Sequence, residues 1–267
     1  MINFNSASSP RLADANVVSE VVSHGGFSVA GRGFTVSVAT GHGQVRPQEG
    51  AVGRFFEGAR RFCATGSCAS QTRALNDVLF PKPAEVLAKS LPVLNRLGGY
   101  ACTDAGTFVR PNSSAYGQVM SRLGDFNRDV DRMRANRQAE SSVTHAERFG
   151  LDRARLDKVA ELVDKAQAGC CSTLAYAGAA ELLKHAGGGR VEVVSHHRGH
   201  SSTHCFIIVG RVHPSDLAQV DSWGKDAIVV DPWAATIGGQ LSGPPSKPPI
   251  GNLWPPTQSL FDSLPQT

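Results

Sequence analysis

The chain has 267 residues, 41% of them apolar and 19% charged, with a formal net charge of +4. That length can bury a sizeable core, whereas the charge is too small and too scattered to argue for a nucleic-acid partner. No run approaches the roughly eighteen apolar residues of a membrane span, and Met1 to Pro10 lacks the basic and apolar regions of a Sec signal.

Six cysteines, Cys63, Cys68, Cys102, Cys170, Cys171 and Cys205, show no spacing of a disulfide framework, which favours a reducing compartment. The first 50 residues are rich in Ser, Gly, Ala and Val and poor in charge. They read as a flexible N-terminal arm, with short strands at Val17 to Val22 and Phe34 to Val38. This composition is also that of type III secretion signals, with a secretion chaperone as the arm's expected partner. The glycines between Gly25 and Gly43 make no phosphate-binding loop, because no strand-to-helix transition follows them.

From Val52 to Ala64 the apolar residues recur at helical spacing, and a second helix is expected from Ser70 to Leu79. A third starts at Lys82-Pro83, where proline suits the first turn, and runs to Gly98-Gly99. Tyr116 to Arg137 reads as one long helix with a mixed-charge outer face. Leu151 to Gln167 is amphipathic and is expected to stop near Gly169.

Cys170 or Cys171 then opens a helix through Leu174, Ala175, Ala179, Leu182 and Leu183, ending at Gly187-Gly188-Gly189. A strand through Val191, Val193 and Val194 is followed by a His-rich loop, Ser195 to Thr203, and two apolar strands, Thr203 to Val209 and Ala227 to Asp231. The Pro-rich stretch after Trp233 is expected to wrap the surface without regular structure.

A thiol at a helix start is favoured as thiolate by the positive helix end and by a nearby histidine, and that end supplies N–H groups for an oxyanion. If the two apolar strands are antiparallel neighbours, one register sets Phe206 opposite Val229, Ile208 opposite Ala227 and His204 opposite Asp231. An imidazole and a carboxylate then meet at one end of the sheet. Alternation turns Cys205 away from His204, as a buried core thiol. Asp221 and Asp226 are alternative orienters without the cross-strand position.

Gly169-Cys170-Cys171 followed by Ala175, then His204 to Val209, then Val229-Val230-Asp231-Pro232-Trp233, resembles the papain-like/transglutaminase-like superfamily, in particular the Cys-His-Asp effectors and toxins that bacteria deliver into host cells. The resemblance covers about 165 to 240. It implies Cys171 as nucleophile, His204 as base and Asp231 as orienter, in a secreted enzyme that deamidates a glutamine of a host protein through a thioester. Cleavage of a peptide bond by the same three groups is the alternative.

Two points stay open in that pattern: Cys170 stands beside Cys171, and Gln167 lies closer to the cysteines than the oxyanion glutamine of the family. The cluster of His196, His197, His200, His204, Cys205 and the Cys170-Cys171 pair could hold zinc, but none of the usual ligand spacings is present, so neither metal nor cofactor is expected. A binding module without turnover is the reading from another class.

The expected architecture is α+β: a papain-like/transglutaminase-like core over 141–267, in which a helix carrying the cysteine packs on an antiparallel sheet carrying His204 and Asp231. A helical segment over 51–140 and the arm, 1–50, precede it.

Overall fold

The computed structural model describes residues 79–111, 113–149, 152–198, 201–249 and 254–263, together with Leu75 and four short strands near the N-terminus. Those strands are β1 (Ile2–Phe4), β2 (Gly26–Val29), β3 (Arg32–Ala39) and β4 (His42–Pro47), hydrogen-bonded in the order β1-β2-β3-β4. The expected strand Phe34 to Val38 falls inside β3. The four strands lie within the expected N-terminal arm, 1–50. Val17 to Val22 and Val52 to Ala64 lie outside the described residues.

Helix α1 (Pro83–Gly98) has the predicted start: Lys82 is the extended N-cap and proline occupies the first turn. Its buried face holds Val86, Ser90, Leu94 and Leu97. Two short elements follow, β5 (Ala101–Cys102) and α2 (Ala105–Phe108).

The single helix expected from Tyr116 is two, α3 (Tyr116–Asn127) and α4 (Val130–Phe149). Asp129 explains the break. Its Oδ1 accepts from the amides of Asp131 and Arg132, each at 3.1 Å, so the carboxylate caps a new helix rather than continuing the old one. Helix α4 runs continuously through residue 140.

Helix α5 (Arg153–Ala166) is capped by Asp152, whose Oδ1 accepts from the Arg155 amide at 2.8 Å. It stops at Gln167 rather than Gly169, because Gln167 takes the left-handed conformation that turns the chain (φ 47). Strand β6 (Ala168–Gly169) then pairs in parallel with β5, Ala101 beside Ala168 and Cys102 beside Gly169.

Helix α6 (Cys171–His185) is the centre of the fold. Every residue from Thr173 to Leu183 is buried, as befits a helix that is apolar nearly all round. Helices α1 and α5 and strands β7 (Val191–Arg198) and β8 (Ser201–Val209) enclose it. Gly178 permits the approach, since a Cβ there would lie 2.8 Å from Ile207 Cδ1 and 3.1 Å from Pro232 Cγ.

Beyond β8 come β9 (Ile228–Val230), α7 (Pro232–Thr236), β10 (Ser242–Gly243) and β11 (Gln258–Asp262). The antiparallel sheet runs β10-β9-β8-β7-β11. The Pro-rich tail is therefore not irregular throughout, because it supplies both edge strands, where proline and short strands are tolerated. Val191, Val193, Cys205, Ile207, Val209 and Val230 face α6. Val194, Phe206, Ile208 and Val229 face Trp223 and Trp254 on the other side.

The strands β8 and β9 are antiparallel neighbours, but Ile207 pairs with Val230 and Ile208 with Val229. The register is thus two residues from the expected one. A slip of two keeps every side chain on its face, so the apolar alternation does not distinguish the two pairings.

Candidate functional site

The chain enters the site through Gly169 and Cys170. Cys170 is the N-cap of α6, in extended conformation, and takes part in a reciprocal cap with Thr173. The Cys170 amide donates to Thr173 Oγ1 at 3.1 Å, and its sulfur lies 3.3 Å from Ser172 Oγ. Cys171 is the first helical residue and stands half-buried beside His204. Of the two adjacent thiols, the structure therefore brings Cys171 to the histidine and gives Cys170 to the cap.

His204 Nε2 lies 2.7 Å from Asp231 Oδ2, with the two residues 1% and 2% exposed. Asp231 is itself a helix cap: its Oδ1 accepts from the Ala234 amide at 3.0 Å, and Pro232 follows it in the first turn of α7. Both carboxylate oxygens are thus committed, one to the backbone and one to the imidazole. Nδ1, the other ring nitrogen, is buried without a hydrogen-bond partner. Pro248, Pro249 and Trp254 close over the His204–Asp231 pair from the tail.

The Trp233 ring lies 4.8 Å from the imidazole, centroid to centroid, and Phe206 is stacked 5.7 Å away. Trp233 donates its indole N–H to Asp104 Oδ1 at 2.7 Å. The same oxygen accepts from the Cys102 thiol at 3.0 Å, and Phe108, 41% exposed, meets the Trp233 ring edge-on at 4.9 Å.

Burial by itself lowers the pKa of His204, but the hydrogen bond and charge of Asp231, helped by Cys171, outweigh it and raise it to about 9. The Cys171 thiol is pushed well above the ordinary thiol value, by its hydrogen bond to Cys205 first and by burial second, against the opposing pull of His204. The depressed thiol expected from a helix start beside a histidine is therefore corrected. Cys205 faces the α6 side of the sheet, as alternation requires, yet it lies beside Cys171 rather than apart from the site.

Several expected neighbours lie elsewhere. The described residues of the expected His-rich loop lie in strands β7 and β8, with His196 paired to His204. His196 Nδ1 is 2.6 Å from the Pro255 carbonyl, and His197 Nε2 is 2.7 Å from Ser195 Oγ. Neither is a solvent-facing loop residue, and His200 lies outside the described residues. No group of three or more His, Cys, Asp or Glu among the described residues is placed to hold a metal ion. Asp226 pairs with Lys225, Asp221 opens a short 3-10 turn, and neither meets His204. Gln167 lines a crevice with Tyr100, Arg122 and Arg132.

Sequence reading missed Asp104 and the cap formed by Asp231. The cap was legible as an Asp followed by a proline before an apolar turn. Asp104 carries no such signal, since its contact to Trp233 spans 129 positions.

No family model and no solved structure matches the chain. Over 81 residues the chain is 31% identical to the protein adenylyltransferase VopS of Vibrio parahaemolyticus serotype O3:K6 (strain RIMD 2210633), an alignment covering 30% of this chain and 21% of that protein. The chain thus spans about a fifth of the length of this relative. The comparison overturns the expected family and activity. The relative is named for adenylyl transfer to protein, not for amide hydrolysis, so the papain-like/transglutaminase-like assignment, the thiol hydrolase, and its deamidase and protease forms are withdrawn. No described helix is long and apolar enough to cross a membrane.

Proposed function

We propose that the chain is delivered into a host cell and modifies a host protein by nucleotidyl transfer, with Cys171, His204 and Asp231 as the residues of its reacting site. The observation that carries the site is the buried 2.7 Å contact between His204 Nε2 and Asp231 Oδ2. It fixes the ring and leaves Nδ1 to exchange a proton with whatever arrives over Cys171. Transfer of a nucleotidyl group to a protein is supported by the adenylyltransferase relative, and delivery by the Ser-rich, charge-poor first 50 residues.

In this reaction the hydroxyl of an acceptor side chain gives its proton to His204 Nδ1. Its oxygen forms a bond to the α-phosphorus of a nucleoside triphosphate, and the bond to pyrophosphate breaks. Asp231 balances the imidazolium that results, as an orienting carboxylate does for a catalytic histidine.

The test uses the full chain, ATP labelled at the α-phosphate and a host-cell lysate. Label on a host protein, lost with His204→Ala, supports the proposal. Absence of labelling across the common nucleoside triphosphates, or labelling unaffected by His204→Ala, would overturn it.

A further inference from the structure

The groups around His204 are not all explained by the three residues of the reacting site. The β5–β6 pairing fastens residues 101–102 to the chain just before Cys170, and the Thr103 amide donates to the Gly169 carbonyl at 3.1 Å. This places Asp104 where one of its oxygens collects two donors, the Trp233 indole at 2.7 Å and the Cys102 thiol at 3.0 Å. An indole N–H given to a carboxylate is a charge-assisted bond, stronger and more directional than one to a neutral acceptor. Trp233 is 1% exposed, so its ring has little freedom of its own, and it meets the imidazole tilted at 54° with centroids 4.8 Å apart.

We propose that Asp104 is a positioning residue of the site, which holds the Trp233 indole against His204 and so fixes the imidazole between Asp231 and Cys171. The inference rests on the functional reading above for its importance to turnover, but not for the contact itself. It ties the upstream segment to the reacting site, so that residues 101–108 belong to the same working unit as α6 and α7. A carboxylate serves here because it accepts from both donors at once. A leucine of similar size fills the space and accepts from neither.

The titratable groups that face His204 are Asp231, Cys171 and, across the β7–β8 pairing, His196. Its titration midpoint, read by NMR of the full chain with nitrogen-15-labelled histidine, therefore reports on how the ring is held. The comparison uses Asp104→Leu, Asp104→Asn, Trp233→Phe and the double variant Asp104→Leu/Trp233→Phe, each checked for a cooperative melt.

Asp104→Leu and Trp233→Phe are expected to lower the midpoint toward the ordinary imidazole value by similar amounts, and the double variant no further, since both remove one contact. Asp104→Asn keeps an acceptor oxygen and is expected to retain most of the midpoint. In the transfer assay Asp104→Leu is expected to lower kcat about tenfold with KM unchanged, the cost of a misplaced group. A fall in Asp104→Asn equal to that in Asp104→Leu would assign the effect to charge, and additive effects of Asp104→Leu and Trp233→Phe would separate the two residues. Either result overturns positioning through Trp233. Wild-type chain that transfers no nucleotide would remove the functional reading while the titrations still decide the role of Asp104. Transfer with an unmoved midpoint would remove this inference alone.

Discussion

Asp231 holds His204 with one oxygen and its own helix with the other: Oδ2 is 2.7 Å from His204 Nε2, while Oδ1 accepts from the Ala234 amide at 3.0 Å. The geometry of the imidazole is thereby referred to the backbone of α7, and through Trp233 to Asp104. A side chain anchored at both ends loses little further freedom when the site is used.

The pair makes stability depend on pH. The pKa of His204 rises from 6.5 in the free side chain to about 9 in the fold, so its contribution is fully present below pH 6.5 and is lost as the pH climbs through about 9. The Cys171 thiol acts in the same direction. Its pKa is raised, so the unfolded chain ionises first in alkali. Urea denaturation is expected to show a loss on the order of 3 kcal/mol across that window, and His204→Gln is expected to flatten most of it.

Gly169 is required for the start of α6. A Cβ there would stand 2.5 Å from Thr173 Oγ1 and 3.0 Å from Leu174 Cγ, displacing the cap that seats Cys170 and Cys171. Gly169→Ala is expected to destabilise the fold by about 1–3 kcal/mol and to lower transfer more than a surface change of equal stability cost. Denaturation and rate measured on the same preparation check this.

Thiol labelling is expected to be slow at neutral pH. Burial raises the Cys102 and Cys170 thiols, and Cys205 with burial raises that of Cys171, so iodoacetamide at pH 7 meets few thiolates at these positions. Cys205→Ala removes the first of the forces acting on Cys171 and is expected to speed its labelling, whereas His204→Ala is expected to slow it. Peptide mapping of alkylated chain reads both.

A buried ion network fastens the C-terminal edge strand. Glu192, 0% exposed, lies 2.7 Å from Arg211 and 3.1 Å from Arg190, and Arg190 reaches Asp262 of β11 at 2.6 Å. Glu192→Gln leaves two guanidinium groups short of their buried counter-charge and is expected to cost about 3–5 kcal/mol. Chemical denaturation measures the loss.

The sequence shows some helix starts through their first residues. Pro83 after Lys82 marks α1, and Cys171 before Ser172 and Thr173 marks α6. The break at Asp129 was hidden, because an Asp among alternating charges looks the same on a helix surface as at a cap. The meeting of His204 with Asp231 follows from apolar alternation, but the register does not, since a two-residue slip leaves each face unchanged. The edge strands of the tail had no periodic signal. Asp104 and the Cys205 contact belong to packing between distant segments, and the identity of the reaction lies in what the site receives, which short motifs around Cys171 do not specify.

The most direct test of the central claim is the rate of transfer from α-labelled nucleotide to an acceptor protein, measured from pH 6 to 10 for the wild-type chain, Cys171→Ala, His204→Ala and Asp231→Asn. With His204 as proton acceptor, the wild-type rate is expected to rise about tenfold per pH unit and to level off near pH 9. Asp231→Asn is expected to move that plateau to lower pH and to reduce its height, because the carboxylate that raises the midpoint and orients the ring is gone. His204→Ala is expected to abolish the rise, and Cys171→Ala to lower the rate at every pH. A wild-type rate independent of pH over this range, or a profile unchanged in His204→Ala, would contradict the assignment of Cys171, His204 and Asp231 as the reacting site.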